Sequence, residues 1–248
     1  MMDPKVIQAA HEQFISILKS GLNPLTLERR GTHLDAHERF LRSVMFHVAH
    51  PITYVLSAPA LLAQAMPGHP DLLLCVSSDE FGRMFAPPFS NFLMSCFELF
   101  LEENFLEKYQ KPDGTTYSTA DDWRADAVAF GSRHASKLEL NDNKAAKWVA
   151  NFKFQRAPDF ETLYRIALGI DVVALPEYTT VRLLWLKRHL FTHKAGIIDR
   201  KFMSDWNSLC EPANRLAPSS IGQLAHLELQ WVVDALAELL KFAKALNT

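Results

Sequence analysis

Apolar residues recur three and four positions apart along most of this chain, the spacing that lines one face of an α-helix. Val6, Ile7, Ala10, Phe14, Ile17 and Leu18 follow it and predict a helix over 3–20 that Gly21 stops. A loop is expected over 22–32, helices over 33–50 and 52–66, and a break at Pro67-Gly68-His69-Pro70. Residues 71–85 stay open between a short strand and a helical turn. After Pro87-Pro88 a long helix is expected over 89–109, apolar first and acidic later. Lys111-Pro112-Asp113-Gly114-Thr115 is the strongest turn signal and divides the chain into 1–118 and 119–248. Beyond it, Ser118 or Thr119 caps a helix reaching about Leu140, and Asp142 or Asn143 caps one ending near Phe154. Pro158-Asp159 opens a helix that Gly169 ends, and Pro176 opens another to about Ala195. A short helix over 200–209 follows. The last is expected over 219–246, with Ile221, Leu224, Leu227, Trp231, Leu236, Leu239, Leu240 and Phe242 as its apolar positions.

Composition agrees with an all-α fold. There are 9 glycines in 248 residues, so few turns are signalled, and alternating Val/Ile/Thr runs are missing. The 26 Lys and Arg against 28 Asp and Glu leave a net charge of −2, so a nucleic-acid contact has to come from a local patch. Cys75, Cys96 and Cys210 are scattered and odd in number, which predicts reduced thiols in the cytoplasm rather than disulfides or a zinc site. The start, Met1-Met2-Asp3-Pro4-Lys5, does not read as a signal peptide. From Ser43 to Pro70 no Asp, Glu, Lys or Arg occurs, but His47, His50, Pro51 and Pro59 favour two buried helices over a membrane span. His47 and His50 read as satisfied core histidines. His33 and His37 sit at metal-pair spacing, with Asp35 and Glu38 nearby but no third ligand at a recognisable distance. Glu98, Glu102 and Glu103, like Asp121 and Asp122, read as solvated faces and caps.

The segment from Thr180 to Asp199 carries the chemistry. On a helical wheel with Arg188 at the origin, Thr192 falls at about 40°, Trp185 at 60°, His189 at 100°, Arg182 at 120° and His193 at 140°. Leu183, Leu184, Leu186, Leu190 and Phe191 cover the opposite arc, facing a core. Lys187 and Lys194 fall inside that apolar arc, so their ammonium groups are expected to extend to solvent from its edge. Gly196 suits the left-handed C′ position, and Asp199 suits the cap of the next helix. His193 then lies in the last turn, where the helix end favours imidazolium and nearby Arg and Lys oppose it. Between Arg182 and Lys201 there are six Arg or Lys and one acid, a local footprint for phosphate.

Arg188-His189-Leu190-Phe191-Thr192-His193 resembles the signature of the HEPN superfamily, an Arg and a His separated by a handful of residues, four here. His189 fits the family's preference after the Arg. The continuation through Gly196-Ile197-Ile198-Asp199 resembles the extended form of bacterial members, as do Leu168-Gly169-Ile170-Asp171 before the helix and Ile221-Gly222-Gln223-Leu224 after it. The likeness covers about 159–247 and departs at Lys194, where the family most often has Asn. It implies a HEPN-like helical bundle with additional N-terminal helices, a dimer whose signature helices face each other, and RNA cleavage without a metal or other cofactor. Some members only bind nucleotides or act as scaffolds, which leaves a non-catalytic binding or interaction module as the alternative.

RNA supplies its own nucleophile, the 2′-OH beside the scissile phosphate. His193 is the candidate for proton transfer and Arg188 for stabilising the phosphorane. His189 and Thr192 are candidates for orienting His193 or holding phosphate; Arg182, Lys187 and Lys194 for binding RNA. Trp185 is the candidate for a dimer interface or for stacking on a base. Because Arg188 and His193 diverge by about 140°, a homodimer that brings two copies of each into one cleft is expected. An antitoxin or sensor protein, in a phage-defence or toxin–antitoxin setting, is the further partner considered, with residues 1–118 recognising it.

Overall fold

The computed structural model describes residues 34–49, 51–52 and 78–247. The expected helix over 3–20, most of 52–66 and the break at 67–70 lie outside them, as do His33, His50 and Cys75. Among the described residues the chain is mostly helical and holds no strand, only one isolated antiparallel bridge between Ile197 and Leu224. This is an all-α chain.

Helix α1, Ala36–Val44, winds on into a π-turn over Met45–Ala49. Helix α2 is Ser78–Lys108. Then come α3 Ala120–Ala125, α4 Ala127–His134, α5 Asp142–Ala150, and α6 Ala157–Leu163 with a π-turn to Leu168. Helices α7 Tyr178–Lys194, α8 Arg200–Leu209 and α9 Leu229–Asn247 complete the order. Caps account for several starts. Thr119 Oγ1 accepts from the Asp122 N–H at 3.1 Å, Asn141 Oδ1 from Lys144 at 3.0 Å, and Asp199 Oδ1 from Phe202 at 2.7 Å.

Several boundaries differ from those expected. Helix α2 begins at Ser78 and runs through Pro87 and Pro88 rather than starting after them. Each proline removes one ladder bond, yet Ala86, Phe89 and Ser90 on either side are buried, and that packing carries the helix through. The segment after Thr119 divides at Asp126, whose carboxylate accepts from Tyr117 at 2.5 Å and Arg133 at 2.9 Å. Asn141, not Asp142 or Asn143, caps α5, which ends at Ala150. The last helix starts at Leu229, because residues 218–228 form a short 3₁₀ turn and the bridged loop; Ile221 and Leu224 therefore lie outside it.

By its contacts the chain divides into two units, and the division does not follow the 111–115 turn. Among the described residues, unit 1 comprises 41–49, 51–52, 78–96 and Thr180–Leu240; unit 2 comprises 34–40, Phe97–Thr179 and 241–247. Unit 2 holds an aromatic core in which Trp123, fully buried, meets Phe152 edge-on at 5.0 Å and Phe105 at 5.2 Å. In that unit α4 and α5 nearly touch at Gly131, where an added Cβ would lie 2.6 Å from the Ala146 nitrogen. Arg39 there bonds Glu103 at 2.8 Å and Glu107 at 2.7 Å. Glu98, expected on a solvated face, is buried. In unit 1 the buried residues include Phe89, Leu93 and Met94 of α2, Val181, Leu184, Trp185 and Leu190 of α7, and Val232, Leu236 and Leu239 of α9. His47, expected in a core, is exposed. Within α2, Met84–Lys108 is long and apolar enough by length and composition to cross a bilayer, and half of its most apolar window is buried.

Candidate active site

Helix α7 is not a simple amphipathic helix. Three of its buried positions, Val181, Leu184 and Trp185, share one face, and Leu190 lies on the opposite one. Thr179 is exposed in the first turn, and His189, Thr192, His193 and Lys194 are exposed near the other end, while Arg182, Lys187 and Arg188 are half-buried. The structure thus gathers Arg188, His189, Thr192 and His193 at the C-terminal turns of one helix.

The His189 and His193 rings are 4.8 Å apart, centroid to centroid. Burial lowers the pKa of His189 from the ordinary histidine value, and the charges of His193, Lys201 and Lys194 push the same way, with Asp199 opposing. Thr192 Oγ1 donates to Asn91 Oδ1 of α2 at 3.2 Å, which holds this end against a second helix of the same unit. Lys194 lies 3.6 Å from Asp199, whose carboxyl is held below its usual range first by the Phe202 N–H and then by Lys194.

Two expected roles change. Trp185 is only 6 % exposed within one chain, so it is a core residue of unit 1 rather than an anchor for a second copy or a base. The wheel placed it on a polar face because it assumed a single dry side. Lys187 does not extend to solvent. Its ammonium lies 3.6 Å above the centre of the Trp231 ring and 5.2 Å from that of Trp206. Burial lowers its pKa to about 8, with Glu228 and then Cys210 pulling it back up. Two indole faces satisfy a cation that has left water, which is why this lysine tolerates an apolar arc. No sequence signal joins Lys187 to Trp206 and Trp231, which belong to other helices.

The helix ends at Lys194 in a left-handed turn, with Gly196 at the C′ position expected of it, at φ +81°, and the C-cap Ala195 already left-handed at φ +48°. The Gly196 N–H donates to Leu190 at 3.1 Å. Gly196 is required for space as well: a Cβ there would lie 2.9 Å from Leu224 Cδ1 and 3.0 Å from Phe191 Cε1. Ala195 is exposed and carries the left-handed cost of a side chain. Ala195→Gly is therefore expected to stabilise the chain by about 0.5–1 kcal/mol after the loss to the unfolded state is subtracted. Thermal melting checks it; a lower melting temperature would contradict the cap assignment.

Elsewhere, among the described residues, no group of three or more His, Cys, Asp and Glu is placed to hold a metal ion. His37 is described and its expected partner His33 is not. Cys96 and Cys210 are free thiols, and burial pushes Cys96 up to about 11. Compared with known proteins, the chain matches no family model, no curated protein and no solved structure.

Proposed function

We propose that this chain is a metal-independent endoribonuclease with Arg188 and His193 at its centre. The observation that supports the reading most is the exposed end of α7, where two touching imidazoles stand beside Arg188 among basic residues. The HEPN-like signature in the same residues supplies the reaction class.

Each group has a definite task in such a cleavage. The 2′-OH must lose a proton as it attacks the neighbouring phosphorus. The phosphorane gains negative charge, and the 5′-oxygen must take a proton as it leaves. His193 handles a proton at one of these oxygens. Arg188 binds the phosphorane oxygens with its forked N–H donors. His189, whose burial makes its imidazole harder to protonate, stands in ring contact with His193 and orients it. Thr192, Arg182 and Lys194 hold phosphate or orient the imidazoles; Lys187 is removed from the RNA-binding set by its place between two indoles.

A second protonic group is needed on the far side of the phosphorus, because attack and departure occur in line. A homodimer with the two α7 ends facing one another supplies it from the partner's copy. Trp185 has no part in that contact.

The test is chemical. Cleaved RNA is expected to carry a 2′,3′-cyclic phosphate and a 5′-hydroxyl, and a single 2′-deoxy substitution at the cut position is expected to block cleavage there. Cutting that survives the deoxy substitution, or leaves a 5′-phosphate, sinks the mechanism.

A further inference from the structure

The residues just past His193 build a second surface in the same unit. Ile197 and Leu224 form the antiparallel bridge. Three backbone bonds tie their loops together: Ile198 N–H to Gln223 at 3.0 Å, Gly222 N–H to Ile198 at 2.8 Å and Ala225 N–H to Gly196 at 2.8 Å. Beneath them Leu190, Ile198 and Phe202 form a packed cluster with Leu186, Met203, Trp206, Leu216 and Ala225, so the loops are held from below. Yet the bridge leaves apolar side chains in water: Ile197 is 43 % exposed, Ile221 37 % and Leu224 55 %. The Phe191 ring and Leu224 meet over Gly196, whose missing side chain keeps the surface low.

The chain on either side of Ile197 is cationic. His193 and Lys194 come immediately before it, Arg200 and Lys201 immediately after, and all four are exposed. The one carboxylate among them, Asp199, is engaged by the Phe202 N–H and by Lys194. A small apolar surface with a basic rim complements one flat ring joined to phosphates. Its three exposed apolar residues are few against the roughly 20–30 residues that each side of a stable protein interface contributes.

We propose that Ile197, Ile221 and Leu224 form a nucleobase subsite, on which an unstacked base rests while the adjoining phosphate faces His193. The inference rests on the ribonuclease reading for its ligand, and it assigns to these residues a contact that a base buried in a duplex cannot make.

Binding is measured by fluorescence anisotropy with a short labelled RNA whose 2′-O-methyl groups prevent cleavage, single-stranded and annealed to its complement. Leu224→Ser and Ile197→Ser are each expected to weaken single-strand binding about three- to tenfold, the loss of one partly buried aliphatic contact, and to leave duplex binding unchanged. Leu224→Phe is expected to strengthen single-strand binding. Both positions are well exposed, so circular dichroism should match wild type. Equal losses on both RNA forms, no loss in either serine variant, or dissociation of a dimer by Leu224→Ser would each overturn the subsite. Leu224-dependent single-strand binding without cleavage of unmodified RNA would keep the subsite and sink the nuclease reading. Cleavage that ignores both serine variants would do the reverse.

Discussion

His193→Ala and Arg188→Ala are each expected to lower RNA cleavage by about 10²–10⁴-fold, with the fold unchanged. His193 is exposed, so removing its ring opens no cavity. On the proposed mechanism it takes away the group that moves a proton, and the His189 ring is in contact with that position. Arg188 is half-buried, and on the same mechanism its loss removes the donors proposed to meet charge developing on phosphorus. The measurement is turnover on one defined RNA under saturating conditions, beside melting curves for all three proteins. His189→Ala should cost less, because that ring attends His193 rather than the phosphate. Either principal variant keeping wild-type turnover would move the active centre elsewhere.

Lys187→Met is expected to raise stability at neutral pH by about 1–3 kcal/mol. The ammonium sits among apolar groups, and burial lowers its pKa from 10.5 to about 8. A tenfold change in proton affinity corresponds to about 1.4 kcal/mol, and contact with two indole faces returns about 0.5–2 kcal/mol. The charge is thus a net cost to folding, and methionine fills the same space without it. The sign of the pH dependence follows. Below pH 8 the lysine is charged in both states and the cost is complete. Between 8 and 10.5 the unfolded chain binds more protons than the folded one, so wild-type stability rises with pH. The gap between the two proteins should therefore narrow across that window and close above it. Chemical denaturation at several pH values checks this; a Lys187→Met protein less stable than wild type at pH 7 would show that the two ring contacts outweigh the desolvation.

Much of this was legible from residue order, and the failures share a physical cause. The caps at Thr119 and Asp199 and the stop at Gly169 depend on neighbours a few positions away, so local chemistry announces them. The α7 segment was legible as a helix ending just before Gly196. Its faces were not. A wheel with one assumed dry side assigns exposure by angle, whereas this helix buries residues on two opposite faces and gathers most of its exposed residues in its last turns. Trp185 was thereby misplaced, and so was Lys187, whose ring partners come from α8 and α9. Pro87 and Pro88 misled for the converse reason: a local helix-breaking signal was overridden by burial on both sides. The patch at Ile197, Ile221 and Leu224 had read partly as the start of a helix face. Only the pairing of two loops distant in sequence reveals it as an exposed surface beside His193.

The central claim is that Arg188 and His193 cut RNA with no metal. It is tested most directly by a time course of purified protein with total RNA in excess EDTA, wild type beside His193→Ala. Wild type is expected to degrade the RNA at an undiminished rate under chelation while His193→Ala leaves it intact. Intact RNA in both lanes until a divalent metal is added, or degradation at equal rates in both, would contradict it.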